Sequence, residues 1–521
     1  MRRLGGSRLL ILNGRSFLRR FARRLNAPSI FARRVVVLTI VLMLGAVGGF
    51  GGANAVITPS QIGHLTEHRS VNGVLDVTLD AQAKTIELAG VKLEALVFNG
   101  DYAGPVLRVR PGDLLKIRLQ NHMTQLVNLH FHGSHASPLG QGDNIHAVVR
   151  PGEQFAYQLR IPRDQPPGLY WYHAHIHGEA EQQINRGLSG AMVVEGIDAK
   201  VAAAKGRPER LFVLKTFADP DNTSTAMKPL HGVIQSINGE THGRIELQQG
   251  DEELWRFSNE SANDYYHLSL KGVRFRVVAI DGYATNFDAD REVLDIPPAG
   301  RVEAMVRFDH SGTFSLKSGA TLTGLGKSLS TSRELAQITI APSPDTSAAR
   351  PLAQRAPQAP DLAGWKIKQR RELVFSQKPG EEVYLINGRT YDHARTDLRI
   401  PLGSVEEWTI RNDTDDMHVF HIHQSHFQVI AINGEAVPYN GRQDTVRIPE
   451  RGAVTIRIAF TDPNMVGRFL FHCHVLKHED KGMMANIEIY NPYAWRKPPR
   501  QDLFGFPICQ PKSEETSHEK V

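Results

Sequence analysis

Cysteine is nearly absent from this chain: Cys473 and Cys509 are its two thiols in 521 residues. That count excludes a disulfide framework, and the 23 histidines outnumber the thiols more than tenfold. Long apolar runs are missing too. The uncharged, mostly apolar stretch from Val35 to Phe50 falls short of the roughly 20 residues that span a bilayer as a helix. No sustained helical periodicity follows it. Residues 1–55 hold ten arginines and no lysine, aspartate or glutamate, so the overall formal charge of +6 belongs to this leader. Without those arginines, 51 basic residues face 55 acidic ones, a formal charge of −4. A nucleic-acid-binding surface is therefore not expected.

The leader itself reads as an export signal. Arg33-Arg34 stands directly before the apolar run, and Ala53-Asn54-Ala55 has the small-x-small form of a cleavage site. A paired-arginine signal of the twin-arginine type exports folded proteins, so a metal can be inserted before export. The expected destination is the periplasm or the exterior, with membrane contact only during export and cleavage after Ala55.

What is present beyond the leader is repetition. A glycine-started segment occurs three times, at Gly112, Gly250 and Gly403, each with an asparagine nine positions on, at Asn121, Asn259 and Asn412. An Asn-Gly pair precedes each copy, at Asn99-Gly100, Asn238-Gly239 and Asn387-Gly388, a strong hairpin signal between short β-rich runs. Segments such as Gln154 to Ile161 and Ala453 to Phe460 alternate as half-buried strands do. An all-β chain of three sandwich domains is predicted. The expected boundaries are 1–55 for the signal, 56–200, 201–345 and 373–495 for the domains, 346–372 for a Pro- and Ala-rich linker, and 496–521 for a C-terminal tail that is polar from Pro511 on.

The histidines gather in four clusters: His130-Phe131-His132, His173-Ala174-His175, His418 with His421 and His423, and His472-Cys473-His474 followed by His478 and Met483. On a strand, H-x-H puts both imidazoles on one face. His130 and His132 lie nine and eleven residues after Asn121, and His421 and His423 stand at the same offsets from Asn412. At those offsets from Asn259 the middle copy has Leu268 and Leu270. His173 and His472 each follow a glycine by five, whereas Gly312 is followed at that distance by Lys317. The first and third domains are expected to carry metal, with the middle one a spacer. His418, Cys473 and His478 with a distant Met483 form the ligand set of a blue-copper site. Structural zinc would need four ligands and leave eight histidines without a purpose.

These clusters, in this order and spacing, resemble the multicopper oxidases, and the bacterial laccase-like enzymes most closely. The most specific stretch runs from Phe471 through His472-Cys473-His474 to Met483. The resemblance implies three cupredoxin-like Greek-key β-sandwich domains and four copper ions. His418, Cys473, His478 and Met483 would bind the type 1 copper, His130 and His421 the type 2 copper, and His132, His173, His175, His423, His472 and His474 the type 3 pair. Glu479 and Asp143 match the family's proton-delivering carboxylates. Dioxygen and a small reducing substrate are the implied partners: phenols, aromatic amines or metal ions, oxidised through the exposed edge of a copper-bound imidazole such as His418. A rival within the class is a metallo-oxidase for Cu(I), Mn(II) or Fe(II), although ten methionines with no Met-rich insertion near the type 1 motifs weigh against specialised Cu(I) capture. A non-enzymatic envelope protein on the same scaffold should lack several ligands, and none is missing. His122, His135, His146, His177 and His426 match no ligand slot, with His135 and His177 near enough to ligands to orient them. Cys509 is expected unpaired, Met484 in packing, and Asp415 and Asp416 in a solvated turn.

Overall fold

A computed structural model describes residues 60–218, 233–319, 321–322, 328–329, 332–343 and 359–493. The segment read as an export signal, much of the stretch read as a Pro-rich linker, and the tail with Cys509 lie outside them. The segment repeated in the sequence becomes a central strand in each domain. Leu114–Asn121, Glu252–Asn259 and Ser404–Asn412 each run parallel to one neighbour, within Val74–Leu88, Glu209–Ala218 and Gln369–Gln377 respectively. Each runs antiparallel to a second neighbour, Gln154–Arg160, Arg301–Arg307 or Ala453–Phe460. A second sheet packs on each of these, giving three two-sheet β-sandwiches of four plus five, six plus six, and six plus five strands. Among the described residues no helix is long and apolar enough to cross a membrane.

The repeated polar residues act in the same way three times. Asn99, Asn238 and Asn387 have φ of 54°, 53° and 51°, and the glycine after each is also positive, the I′ geometry whose twist matches a hairpin. The other repeated asparagine closes the loop after its strand. The Asn121 side-chain amide donates to the Gln125 and Val149 carbonyls, Asn259 to those of Asp264 and Ile296, and Asn412 to those of Asp416 and Pro449. Each domain has its own core, around Leu115, Ile117 and Phe131, around Trp255 and Phe257, and around Trp408 and Phe420.

Three features depart from the sequence reading. Ser60–Gln61 pairs in parallel with Gly243 and Arg244, so the chain touches the middle domain's sheet before it builds the first. The stretch read as linker to residue 372 is structured in its described part: Leu362 is buried against Val405 and Ala459, and the first strand of domain three begins at Gln369. The third concerns register in the middle domain. Opposite Lys317 stands Ser269, whereas His130 opposes His173 and His421 opposes His472. The connection after Asn259 is thus one residue longer, and one residue flips every side chain to the other face. Leu268 and Leu270 are core residues; the positions equivalent to the histidines are Ser269 and Lys271. The absence of ligands from these positions stands, with different residues occupying them.

Candidate metal centre

In domain one, His130–His132 pairs antiparallel with Gly168–His173; in domain three, His418–Ile422 pairs antiparallel with Gly467–Cys473. The alternation that sends Phe131 and Phe420 into their cores turns the neighbouring imidazoles toward the seam between the domains. There the two sets meet face to face. The His130 ring stacks on His423 with centroids 3.6 Å apart, and His132 stacks on His421 at 3.7 Å. His175 Nε2 and His423 Nε2 lie 3.3 and 3.2 Å from His472 Nε2. His173 and His474 complete eight imidazoles, all buried.

Their outer nitrogens show how they are held. His173 Nδ1 faces the Ala174 carbonyl at 2.9 Å, His421 Nδ1 the Asp444 carbonyl at 2.9 Å and His472 Nδ1 the Cys473 carbonyl at 3.1 Å. His130 Nδ1 lies 3.1 Å from both Asp143 carboxylate oxygens. An acceptor at Nδ1 fixes the proton there and leaves the Nε2 lone pair free. Among the described residues, Nε2 of His130, His132, His173 and His421 has no hydrogen-bond partner, nor has either nitrogen of His474. Orphaned buried acceptors cost about 1–3 kcal/mol each, and convergent neutral lone pairs are what a transition metal requires. Burial and the neighbouring imidazoles hold His130, His173, His421, His423 and His474 well below the usual histidine range, so these side chains are neutral at neutral pH, the state in which an imidazole can bind a metal.

A second constellation lies on the other side of Cys473. Its Sγ is 3.4 Å from His418 Nδ1 and 3.7 Å from His478 Nδ1, and those nitrogens are 3.0 Å apart. Such a triangle fits one ion bound by two imidazoles and a thiolate. Burial pushes the Cys473 thiol up to about 12, so its thiolate needs a cation beside it. Met483 is buried in the same core cluster, and its backbone bonds both Cys473 and His478. His418 Nε2 meets Thr414 Oγ1 at 2.8 Å, and that hydroxyl bonds Asn412 Oδ1 at 2.8 Å, so the repeated asparagine positions His418 through one threonine.

The two carboxylates lie beside the cluster. Asp143 accepts from the Phe131 amide at 3.0 Å and from Gln424 at 2.6 Å, and burial pushes its carboxyl well above the usual range. Glu479 has Oε2 2.7 Å from His472 Nδ1 and Oε1 3.6 Å from His175 Nδ1; burial raises it to about 7.

Other expectations need correction. His418 is not exposed at an edge: it and His478 are both 0% exposed. Tyr384 stacks on His478 at 4.1 Å and Thr414 covers His418. His135 bonds His426 at 2.7 Å rather than a ligand, and His177 packs on Tyr391. Two expectations agree with the structure: Met484 packs with Ile145 and Leu470, and Asp415 is solvent-exposed in its turn, where Arg451 pairs with it. Sequence reading missed Arg301, Asp444, Thr414 and Tyr384, because single residues outside any H-x-H pattern carry no local signal.

Three sequence profiles described as multicopper oxidase match residues 80–198, 213–338 and 355–492. The multicopper oxidase mco of Staphylococcus haemolyticus is 24% identical over 455 residues, covering 84% of this chain and 93% of its own. The cell division protein FtsP of Escherichia coli is 26% identical over 429 residues, 77% of this chain and 87% of its own. Among solved structures, a multicopper oxidase from Campylobacter jejuni described as a metallo-oxidase superposes with a TM-score of 0.72 at 25% identity, over 84% of this chain and 96% of that one. With the profiles spread over all three sandwiches, the chain belongs to the multicopper oxidase family.

Proposed function

We propose that the chain is a laccase-like copper oxidase that couples one-electron oxidation of small reductants to reduction of dioxygen. One observation carries this reading: Cys473 faces His418 and His478 with its side chain while its sequence neighbours His472 and His474 place their imidazoles in the eight-histidine cluster. Copper held by His418, Cys473, His478 and Met483 would supply single-electron oxidation, and three further coppers held by the eight imidazoles would supply four-electron reduction of dioxygen to two water molecules. The Cys473 thiolate and its two peptide links provide a short covalent path between the two constellations.

This chain's carboxyls supply protons. Glu479, raised to about 7, is near the operating pH at which a side chain both holds and releases a proton, and its oxygens face His175 and His472. Asp143 holds the proton on His130 Nδ1 and so keeps Nε2 aimed into the cluster. A cavity of about 200 Å³ lined by His146, His177, Tyr391, His393 and Met484 reaches ligand His175 and offers dioxygen a way in. Tyr384 keeps water and bulky molecules off His478, so electrons enter across its ring.

A second reading, oxidation of Cu(I), Mn(II) or Fe(II), is favoured by the charge around that entrance. Burial first, then Asp416, Glu382 and Glu181, push the Tyr384 hydroxyl up; with Lys477 paired to Glu382, Asp416 and Glu181 leave a field that attracts cations. A non-enzymatic envelope role on the same scaffold is opposed by the full set of ligands. The leader supports export to the periplasm or exterior by the twin-arginine route. Copper-loaded protein should be intensely blue and consume dioxygen with a phenol, an aromatic amine or a low-valent metal ion. Colourless, fully loaded, oxidised protein would overturn the type 1 assignment, and blue protein that consumes no oxygen with any of them would overturn the oxidase reading.

A further inference from the structure

We infer that Arg301 and Asp444 are positioning residues for the trinuclear imidazoles, so that the middle domain takes part in shaping the copper cluster instead of merely spacing the outer two domains. This rests on copper binding at the cluster proposed above. Arg301 opens a strand of the middle domain and Asp444 directly precedes Thr445–Ile448 in the third; both are 0% exposed. The guanidinium forks onto the carboxylate, Nη1 to Oδ1 at 2.8 Å and Nη2 to Oδ2 at 2.6 Å. Its Nε donates to the Leu169 carbonyl of the first domain at 3.3 Å. One side chain thus ties all three sandwiches together beside the cluster.

Asp444 faces two cluster imidazoles from opposite domains. Its backbone carbonyl takes the proton of His421 Nδ1 at 2.9 Å, and its Oδ1 lies 3.6 Å from His132 Nδ1. These are the two rings that stack at 3.7 Å. Proton bookkeeping then assigns the carboxylate its part. When the partnerless Nε2 of His132 takes a metal, the ring's proton resides on Nδ1 and needs an acceptor. Arg301 Nη1, at 3.1 Å, has only protons to offer. Asp444 Oδ1, 3.6 Å from that nitrogen, is the carboxylate acceptor beside it. Arg301 fixes that carboxylate in place through two parallel bonds, as a bidentate guanidinium does. The space around the pair is closed: at Gly133, next after His132, a Cβ would come within 2.5 Å of Asp444 Oδ2 and 2.8 Å of Arg301 Nη2.

The test uses copper-loaded full-length protein carrying Asp444→Asn, Arg301→Gln, Arg301→Lys or the double change Arg301→Gln/Asp444→Asn. The double variant avoids the unpaired charge that each single change leaves on the other partner, while Asp281, 3.4 Å from Arg301 Nη1, keeps its bonds from the Arg301 and Thr445 amides. Outer-shell partners of this kind typically weaken metal affinity or activity about 10–100-fold when lost. Expected are an unchanged blue band per chain, fewer than four coppers or an altered type 2 electron paramagnetic resonance signal, and oxygen consumption down by that factor, with Arg301→Lys recovering part of it. A double variant with four coppers, native cluster spectra and turnover within twofold would overturn the positioning role. So would loss of the blue site in step with the cluster, which signals general collapse. Unmutated protein that binds no copper would instead remove the functional reading itself.

Discussion

Thr414→Val separates a ligand's support from the ligand itself. Valine keeps the shape of the threonine and deletes its hydroxyl, the group at 2.8 Å from His418 Nε2. Asn412 Oδ1 loses one donor but keeps the Thr414 amide at 2.8 Å, so the loop stays closed. The cost depends on the metal. Without copper, His418 can carry its proton on Nδ1 and share it with His478 Nδ1, 3.0 Å away. With copper on Nδ1 the proton is confined to Nε2, buried and without an acceptor, at a cost of about 1–3 kcal/mol. At 1.4 kcal/mol per tenfold the blue site should bind copper about ten to a hundred times more weakly, while metal-free melting shifts little. Competition with a Cu(II) chelator, read against the blue band, measures this, and Thr414→Ser should restore it. Unchanged affinity in Thr414→Val would refute the reasoning, as would equal destabilisation of metal-free and loaded protein.

Three further outcomes are expected. Gly133→Ala places a methyl against Asp444, Arg301 and Tyr170 at a φ of +82°; overpacking and backbone strain together should cost about 2 kcal/mol or more, seen as a lower melting temperature and depleted cluster copper. Lys215 donates to the Tyr102, Gly187 and Ser189 carbonyls across the first two domains and faces Glu260, so Lys215→Met should destabilise by about 3 kcal/mol through the unpaired buried groups it leaves, measured by denaturant titration. Burial raises Asp264 to about 6, so its carboxyl binds a proton more tightly folded than unfolded. Its contribution to stability is complete below about pH 4 and is lost as pH rises through about 6. The stability difference between unmutated protein and Asp264→Asn should therefore fall by about 2–3 kcal/mol from pH 4 to pH 7, and parallel pH profiles would contradict this.

Much of the fold was legible because its signals are local. The Asn-Gly pairs set φ by themselves, and Asn121, Asn259 and Asn412 close their loops within a few residues of their own strands. The ligands were legible because two-residue spacing on a strand is a statement about one face. What stayed hidden depends on partners distant in the chain. Arg301 is one arginine in a domain without ligands, and its meaning comes from Asp444, which arrives from another sandwich. The burial of His418 and His478 depends on Tyr384, whose strand carries no metal motif. The middle domain's register slipped by one because a loop length cannot be counted from a repeat that is itself uneven.

The most direct test of four coppers at one seam is an anomalous-scattering crystal structure of copper-loaded protein at the copper edge. One peak among His418 Nδ1, Cys473 Sγ and His478 Nδ1 and three peaks among the eight imidazoles are expected. A fully loaded crystal with no peaks between the first and third domains would contradict the account.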